Sequence, residues 1–296
     1  MKISIIGGSG IVGNGIFSFL KDFHEVSIFD SSSFDRKSAG YHSNDLFDCD
    51  VFIHAAGITD ELVKDDIDFA VYKANSFVNY LVENLIRTNC KNIIYLSTIH
   101  VHGDLSQRIS KRARPDPLNL YSLLHYNTEK VFEILLRPTS INFLGLRVPT
   151  VYGFPRDLSR LNRPNIIQFS FPLSLVKHNQ IELHTSGSQY RLFVSNCKVG
   201  KVINKWIVDF HKDQFTVDIV DGVNMTVKGF ASLCISQYAQ INGTIPKLLT
   251  NQSNIENETA REIHVDSLYK SEEHYPIQRF LVDFFQENIW TKKDGV

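Results

Sequence analysis

Across 296 residues, 31 Lys and Arg set against 32 Asp and Glu leave a formal net charge of −1, with 43% of positions hydrophobic and 21% charged. That balance is ordinary for a globular protein and excludes a disordered chain or an electrostatically driven nucleic-acid binder. The four cysteines, Cys49, Cys90, Cys197 and Cys234, are scattered and form no C-x-x-C pair, which fits a reducing compartment. The apolar start over residues 1–6 is too short for a signal peptide or a membrane span, so a cytoplasmic chain with no membrane partner is expected.

In chain order, residues 2–6, 25–29, 50–53 and 92–96 read as buried strands alternating with helical patterns, which predicts a parallel sheet. Phe77, Leu81 and Leu85, with Val78 and Val82 beside them, give a helix one apolar face before the fourth run, joined through a right-handed crossover. A longer helix over 118–136 carries Leu124, Val131 and Leu135 on its packing stripe and stops before Pro138; residues 141–146 form the next strand. After Gly153 the stretch 155–164, containing Pro and Arg, breaks the pattern and marks the start of a smaller lobe. Strand-like runs at 192–194 and 216–220, around a helix at 199–210, are placed to return to the first sheet. Arg108, Lys111, Arg112 and Arg114 form one dense cationic cluster, read as a solvated loop.

The strongest local signal is Gly7-Gly8-Ser9-Gly10-Ile11-Val12-Gly13, which follows the first strand directly and opens a helix bearing Ile16 and Leu20. Gly7 permits a tight turn, Gly10 lets a diphosphate approach the backbone, and Gly13 lets the helix pack closely on the strand with its N–H groups toward the phosphates. Asp30, 17 residues after Gly13, ends the second strand where a carboxylate accepts hydrogen bonds from ribose hydroxyls and repels a 2′-phosphate. NAD is therefore favoured over NADP, although Arg36 and Lys37 lie just beyond and are placed to accommodate a phosphate. The fold class this implies is α/β: a Rossmann-type, doubly wound parallel sheet over residues 1–150, with a returning segment at about 192–222. A smaller, mainly substrate-binding lobe is expected over 151–296.

Together with further motifs, this turn resembles the extended short-chain dehydrogenase/reductase family, the NAD-dependent epimerases, dehydratases and ketoreductases of nucleotide sugars. Residues 50–57, Asp-Val-Phe-Ile-His-Ala-Ala-Gly, are similar to the family's fourth strand, whose small residues, here Ala55, Ala56 and Gly57, pass beside the cofactor. Asn75 stands where the family has an asparagine in the following helix. Ser97-Thr98-Ile99-His100-Val101-His102-Gly103 is similar to Ser-Ser/Thr-x-x-Val-Tyr-Gly, and residues 145–153, with Val148 and Thr150, to Leu-Arg-x-x-Asn-Val-Tyr-Gly. Residues 186–194 resemble Gly-x-x-Gln-x-Arg-Asp-Phe-Val, so Arg191 is the candidate for the substrate diphosphate, although Leu192 replaces the usual aspartate. The resemblance implies cofactor contacts from Ser97 and Val148 and substrate contacts from Thr98, His100, Thr150 and Arg191.

The family's chemistry uses a tyrosine acid/base with a lysine four residues on, while a Ser/Thr hydroxyl polarises the same substrate oxygen. Pro117-Leu118-Asn119-Leu120-Tyr121 matches the lead-in to that motif, but His125 occupies the lysine's place. Tyr126 and Lys130 satisfy Tyr-x-x-x-Lys literally, yet they lie about 140° around the helix and about 7.5 Å along it. The proline-led approach favours Tyr121. On that register His125 donates to the nicotinamide ribose and, if protonated, stabilises a Tyr121 phenolate; near neutral pH an ordinary imidazole is mostly uncharged.

Thr98 is the hydroxyl carried over, with Ser97 flanking it. The dehydratases of this scaffold carry Asp and Glu at the two positions after it, where this chain has Ile99 and His100, so dehydration is disfavoured. His100 is read as an additional acid/base or as a polar filler. His100, His102 and His125 do not complete a metal site, and no metal is expected. The expected activity is hydride and proton transfer at a hydroxyl or keto carbon of a nucleotide-linked sugar, by an epimerase or a 4-ketoreductase. A catalytically silent NAD-binding sensor or scaffold is the alternative that His125 raises. A homodimer is expected through the helices that hold residues 77–85 and 121–136.

Overall fold

The computed structural model describes residues 1–30, 34–35, 40–41, 44–106, 108–110, 113–158, 163–209, 213–250 and 261–286. The chain begins with β1 (Lys2–Ile6), α1 (Ile11–Leu20) and β2 (Glu25–Phe29), followed by a two-residue antiparallel ladder of β3 (Phe34–Asp35) with β4 (Gly40–Tyr41). Next comes β5 (Val51–His54), from which α2 (Asp60–Asp65), α3 (Ile67–Ala74) and α4 (Ser76–Leu85) lead to β6 (Asn92–Thr98); α5 (Leu120–Leu136) then leads to β7 (Asn142–Val148). The rest of the chain supplies β8 (Thr150–Tyr152), α6 (Ile167–His178), β9 (Gln180–Leu183), β10 (Tyr190–Ser195), α7 (Asn196–Val208) and β11 (Phe215–Ile219). Beyond these lie β12 (Val223–Thr226), α8 (Val227–Asn242), β13 (Lys247–Thr250) and α9 (Ile277–Gln286).

Six strands form one sheet in the order β11-β7-β6-β5-β1-β2, every adjacent pair parallel. Period-two alternation divides its side chains between two layers. Ile3, Ile5, Val51, Ile53, Ile94, Leu96, Leu144 and Leu146 enter an aliphatic core beneath α1 and α7. Ile6, Phe52, Ile93, Tyr95 and Phe143 enter the opposite, more aromatic core, which α4 and α5 complete with Phe77, Leu81, Leu85, Phe132 and Leu136. Each such side chain contributes about 1.5 to 3 kcal/mol through burial. The sheet is therefore covered on both faces, as a wholly parallel sheet requires.

The returning segment behaves in two ways. Residues 215–219 join the large sheet as β11 beside β7, and α7 lies on α1, where Gly15 and Gly200 admit close contact with Asn196 and Phe19. Residues 192–194 do not return to that sheet, contrary to the sequence expectation. They belong to β10, which pairs parallel to β8 and antiparallel to β12. The reason lies in their side chains: Phe193 enters a third, phenylalanine-rich core with Phe169, Phe230, Phe280 and Phe284, while Val194 faces the aliphatic core. Burial on both sides pins β10 at the junction of the lobes.

A stretch before α9 ties these parts together. The Glu273 carboxylate accepts from the backbone N–H and hydroxyl of Ser195 at 3.1 and 2.6 Å, Asp218 accepts from the N–H of Leu268 at 2.7 Å, and the Tyr152 hydroxyl donates to the Tyr275 carbonyl at 2.7 Å. Among the described residues, no helix is long and apolar enough to cross a membrane.

Candidate active site

The order of the sheet reverses between β1 and β5, and such a switch point leaves a crevice at the carboxyl ends of the strands. A cleft of about 850 Å³ opens there. At one end, Gly7 has φ 82°, and a Cβ on it would stand 2.6 Å from the Ala56 nitrogen, so the turn passes hard against the exit of β5. A Cβ on Gly13 would stand 2.1 Å from the Gly7 carbonyl oxygen, which is how α1 starts directly over the turn. Gly10 caps α1 without a side-chain hydrogen bond, no acidic residue stands in the first turn, and Gly10, Ile11, Val12 and Gly13 all line the cleft. A helix start of this kind is an anion site. Asp30 lines the same end, its Oδ1 accepting from the N–H of Ser9 at 3.3 Å and from the Ser9 hydroxyl.

Ala55, Ala56, Gly57, Ser97 and Val148 line the middle of the cleft. The Ser97 hydroxyl is buried with no hydrogen-bond partner, the kind of group a bound amide or ribose satisfies. With the uncapped helix start and the carboxylate after β2, these residues fit a dinucleotide. Asn75 corrects the expectation for it: it does not line the cleft, because its amide nitrogen donates to the Val71 carbonyl at 2.9 Å and its oxygen accepts from Asn127 at 2.6 Å. Arg36, Lys37, Lys111 and Arg112 lie outside the described residues, while Arg108 is exposed and paired with Asp266.

At the other end, α5 presents its first turns to the cleft. Asn119 caps the helix, accepting from the Ser122 N–H at 2.9 Å, and the Ser122 hydroxyl closes the reciprocal half of a capping box. This fixes the phase of the helix, so that Tyr121 and His125 share the cleft-facing edge with ring centroids 4.7 Å apart. Tyr126 and Lys130 face elsewhere. They line a separate recess of about 190 Å³ with Glu129 and Arg147, and Lys130 lies 5.6 Å over the Tyr126 ring while pairing with Glu133 at 2.6 Å. Thr98, His100, Thr150 and Arg191 all line the main cleft with Tyr121.

His125 differs most from the sequence expectation. Its Nδ1 lies 2.7 Å from the Tyr95 hydroxyl and its Nε2 lies 3.1 Å from the Ile58 carbonyl oxygen. A carbonyl only accepts, so Nε2 carries the proton and Nδ1 receives the Tyr95 hydroxyl's. Both nitrogens are used within the protein, which corrects the donor role toward a ribose. Burial pushes the imidazole's pKa down to about 4, overriding the Ile58 hydrogen bond that favours the cation; nearby Lys73 and Arg163 act with burial. Burial thus holds His125 further toward the neutral form that an ordinary imidazole already favours near neutral pH.

The phenol of Tyr121 is raised above its ordinary pKa, first by burial, and is eased back by a hydrogen bond with Thr98 and by the charge of Arg163; Asp60 and Glu61 oppose that easing. His100 is held below its ordinary value by burial and then by Arg191. His102 accepts from Arg147 at 2.9 Å, and Arg147 grips Glu129 through two hydrogen bonds of 3.0 and 2.7 Å, a buried network behind the reactive wall. No cluster of three or more His, Cys, Asp or Glu able to hold a metal occurs among the described residues.

Four further residues complete the site. Ser9 orients Asp30, Tyr95 holds His125, and Lys73 and Arg163 bring positive charge into the cleft. Ser9 lies inside the glycine motif, and Tyr95 left a signal of its own, a phenol inside the buried run Ile93-Ile94-Tyr95-Leu96 that must find a partner.

The profile of the NAD dependent epimerase/dehydratase family matches residues 3–196. No curated protein matches the chain. Among solved structures, the chain is similar to a UDP-N-acetylglucosamine 4-epimerase from Methanobrevibacter ruminantium M1 in complex with UDP-N-acetylmuramic acid, with TM-score 0.77 and 16% identity, covering 97% of this chain and 98% of that one. It is also similar to a UDP-glucuronic acid 4-epimerase from Bacillus cereus in complex with UDP-glucuronic acid and NAD, with TM-score 0.76 and 17% identity over 97% and 100% of the two chains. A third is a UDP-glucose 4-epimerase from Thermotoga maritima with UDP-glucose, at TM-score 0.75 and 18% identity over 98% and 100%. Likeness at these identities establishes a shared fold.

Proposed function

The chain belongs to the NAD dependent epimerase/dehydratase family, and from that premise we propose that it is an NAD-dependent epimerase of nucleotide-linked sugars, with UDP-sugars as the first substrates to test. The observation that carries this reading is that the Tyr121 phenol and the Thr98 hydroxyl line one end of a cleft whose other end is the uncapped start of α1. Residues 7–13 would hold the cofactor's diphosphate and Asp30 its adenosine ribose, while Ala55, Ala56, Gly57, Ser97 and Val148 would flank the nicotinamide half. NAD held there would supply the hydride acceptor and donor at a sugar carbon. Tyr121 removes the proton from the sugar hydroxyl and gives it back, and Thr98 holds the same oxygen. His100 and Thr150 face the sugar, and Arg191 meets the diphosphate. The parallel-sheet unit over residues 1–150, with the returning α7 and β11, serves the cofactor, and residues 151–296 mainly serve the sugar nucleotide. A homodimer through α4 and α5 accords with the exposure of Leu123 and Ile134 on α5.

One observation favours a second reading. A neutral, fully engaged His125 does not supply the cation that lysine supplies in the family, as a silent NAD-binding sensor would allow. Incubating the NAD-loaded protein with UDP-glucose, UDP-N-acetylglucosamine and UDP-glucuronic acid, and resolving the products by NMR, tests the two. The epimerase reading expects the C4 epimer of at least one sugar to appear without net consumption of NAD; NAD binding with no epimer from any of them supports the sensor.

A further inference from the structure

We propose that the fixed positive charge absent from position 125 is restored to the site by two side chains from outside α5, Lys73 of α3 and Arg163 of the segment before α6. The inference rests on the epimerase reading above and adds to it a cation that favours Tyr121 ionisation, Arg163, and a donor that stands in for the lysine beside the cofactor, Lys73.

With both nitrogens of His125 engaged by Tyr95 and Ile58, the ring has no donor left for a ligand, and a proton gained at Nδ1 requires the Tyr95 hydroxyl to turn from donor to acceptor. Lys73 enters the same cleft from the side of α3, and its ammonium donates to the Gly57 carbonyl at 3.1 Å. That places it beside His125, whose Cε1 lies 3.4 Å from where a Cβ on Gly57 would stand. Arg163 enters from the other lobe, with its Nε 2.9 Å from the Glu61 carboxylate, an ion pair that anchors the guanidinium at the cleft wall. A guanidinium keeps its charge at every pH a protein survives, which an imidazole does not.

The charged and titratable groups facing Tyr121 are Arg163, Asp60 and Glu61 across the cleft, His125 on its own helix and Tyr95 of β6, while His100, with Arg191 near it, lines the same cleft and Lys73 of α3 lies beside His125. Burial holds both imidazoles below their ordinary pKa, so the fixed positive charge comes from Lys73, Arg163 and Arg191, opposed by Asp60 and Glu61. Arg163 acts on the phenol, and Lys73 supplies the N–H donor beside the nicotinamide half. The work of one lysine is divided between two residues, both far from it in sequence.

The ionisation of Tyr121 reads this without requiring turnover. Tyrosinate absorbance of the NAD-loaded protein, titrated against pH with the Tyr121→Phe curve subtracted, isolates this phenol among the eleven tyrosines. In Lys73→Met/Arg163→Met the midpoint is expected to rise by about one pH unit or more relative to the unaltered chain, most of it from Arg163→Met, and His125→Lys added to that pair is expected to bring it back down. Lys73→Met alone is expected to weaken NAD about tenfold in a fluorescence titration, with Lys73→Arg recovering most of the loss. Folding of each variant is checked by circular dichroism, and Arg163→Lys, which keeps the charge, is expected to keep the midpoint. An unchanged midpoint in the folded double variant overturns the proposal, as does an effect of Arg163→Met confined to KM with the pH profile unmoved. Absence of epimer with every sugar, beside a shifted midpoint, would instead remove the epimerase reading and leave the charge assignment standing.

Discussion

The two ends of the cleft are built from different materials. The glycine end is made of backbone: a left-handed Gly7, a Gly13 that fits no Cβ, and helix N–H groups that need no side chain to point the right way. The reactive end is made of side chains from α2, α3, α5, the turn after β6 and the segment before α6, each held by another side chain or a carbonyl. A backbone site tolerates change in everything except its glycines. A side-chain site can lose its usual lysine and rebuild the same electrostatics from elsewhere.

The largest effect of a single substitution on stability is expected behind the reactive end. Glu129→Gln leaves Arg147 charged and buried without its partner, and should cost about 3 to 5 kcal/mol in urea unfolding. A loss below about 1 kcal/mol would mean that the wall does not lean on that pair. At the backbone end, Gly13→Ala forces the turn off the helix start, and NAD affinity measured by calorimetry should fall by about a hundredfold, or about 2.7 kcal/mol. Unaltered affinity would break the contrast between the two ends.

Acid should expose the reactive end next. Burial drives His54 to about 3 and His102 and His125 to about 4, all below the ordinary 6.5. Between pH 6.5 and those values the unfolded chain binds protons that the native chain refuses, so stability is full above pH 6.5 and falls as the pH drops, by about 1.4 kcal/mol per pH unit for each histidine. Urea midpoints at pH 7 and pH 5 check this, and equal midpoints would show that these rings are solvated. The smallest effect is expected for Tyr95→Phe, which strips the donor from His125 Nδ1 and should cost about 1 to 2 kcal/mol while leaving NAD affinity unchanged.

The same contrast explains what the sequence could tell. The strand at residues 2–6, the glycine turn and Asp30 are legible because a short run buried on both faces and missing Cβ atoms are written residue by residue. The register of α5 is legible too, since the proline-led lead-in at residues 117–121 points to Tyr121, and the cap of Asn119 with Ser122 holds that edge to the cleft. The state of His125 is not, because it depends on Tyr95 and Ile58, which lie 30 and 67 residues away. Lys73 and Arg163 carry no local mark; their role exists only once α3 and the second lobe close around the same space. Residues 192–194 have a strand's pattern, but nothing in that pattern says which sheet Phe193 will choose.

Parallel turnover measurements on Tyr121→Phe and Tyr126→Phe bear most directly on which phenol does the chemistry. The account predicts that the change at 121 lowers kcat by about a hundredfold to ten-thousandfold with NAD still bound, and that the change at 126 leaves it within about twofold. Loss of activity at 126 with activity kept at 121 would contradict it.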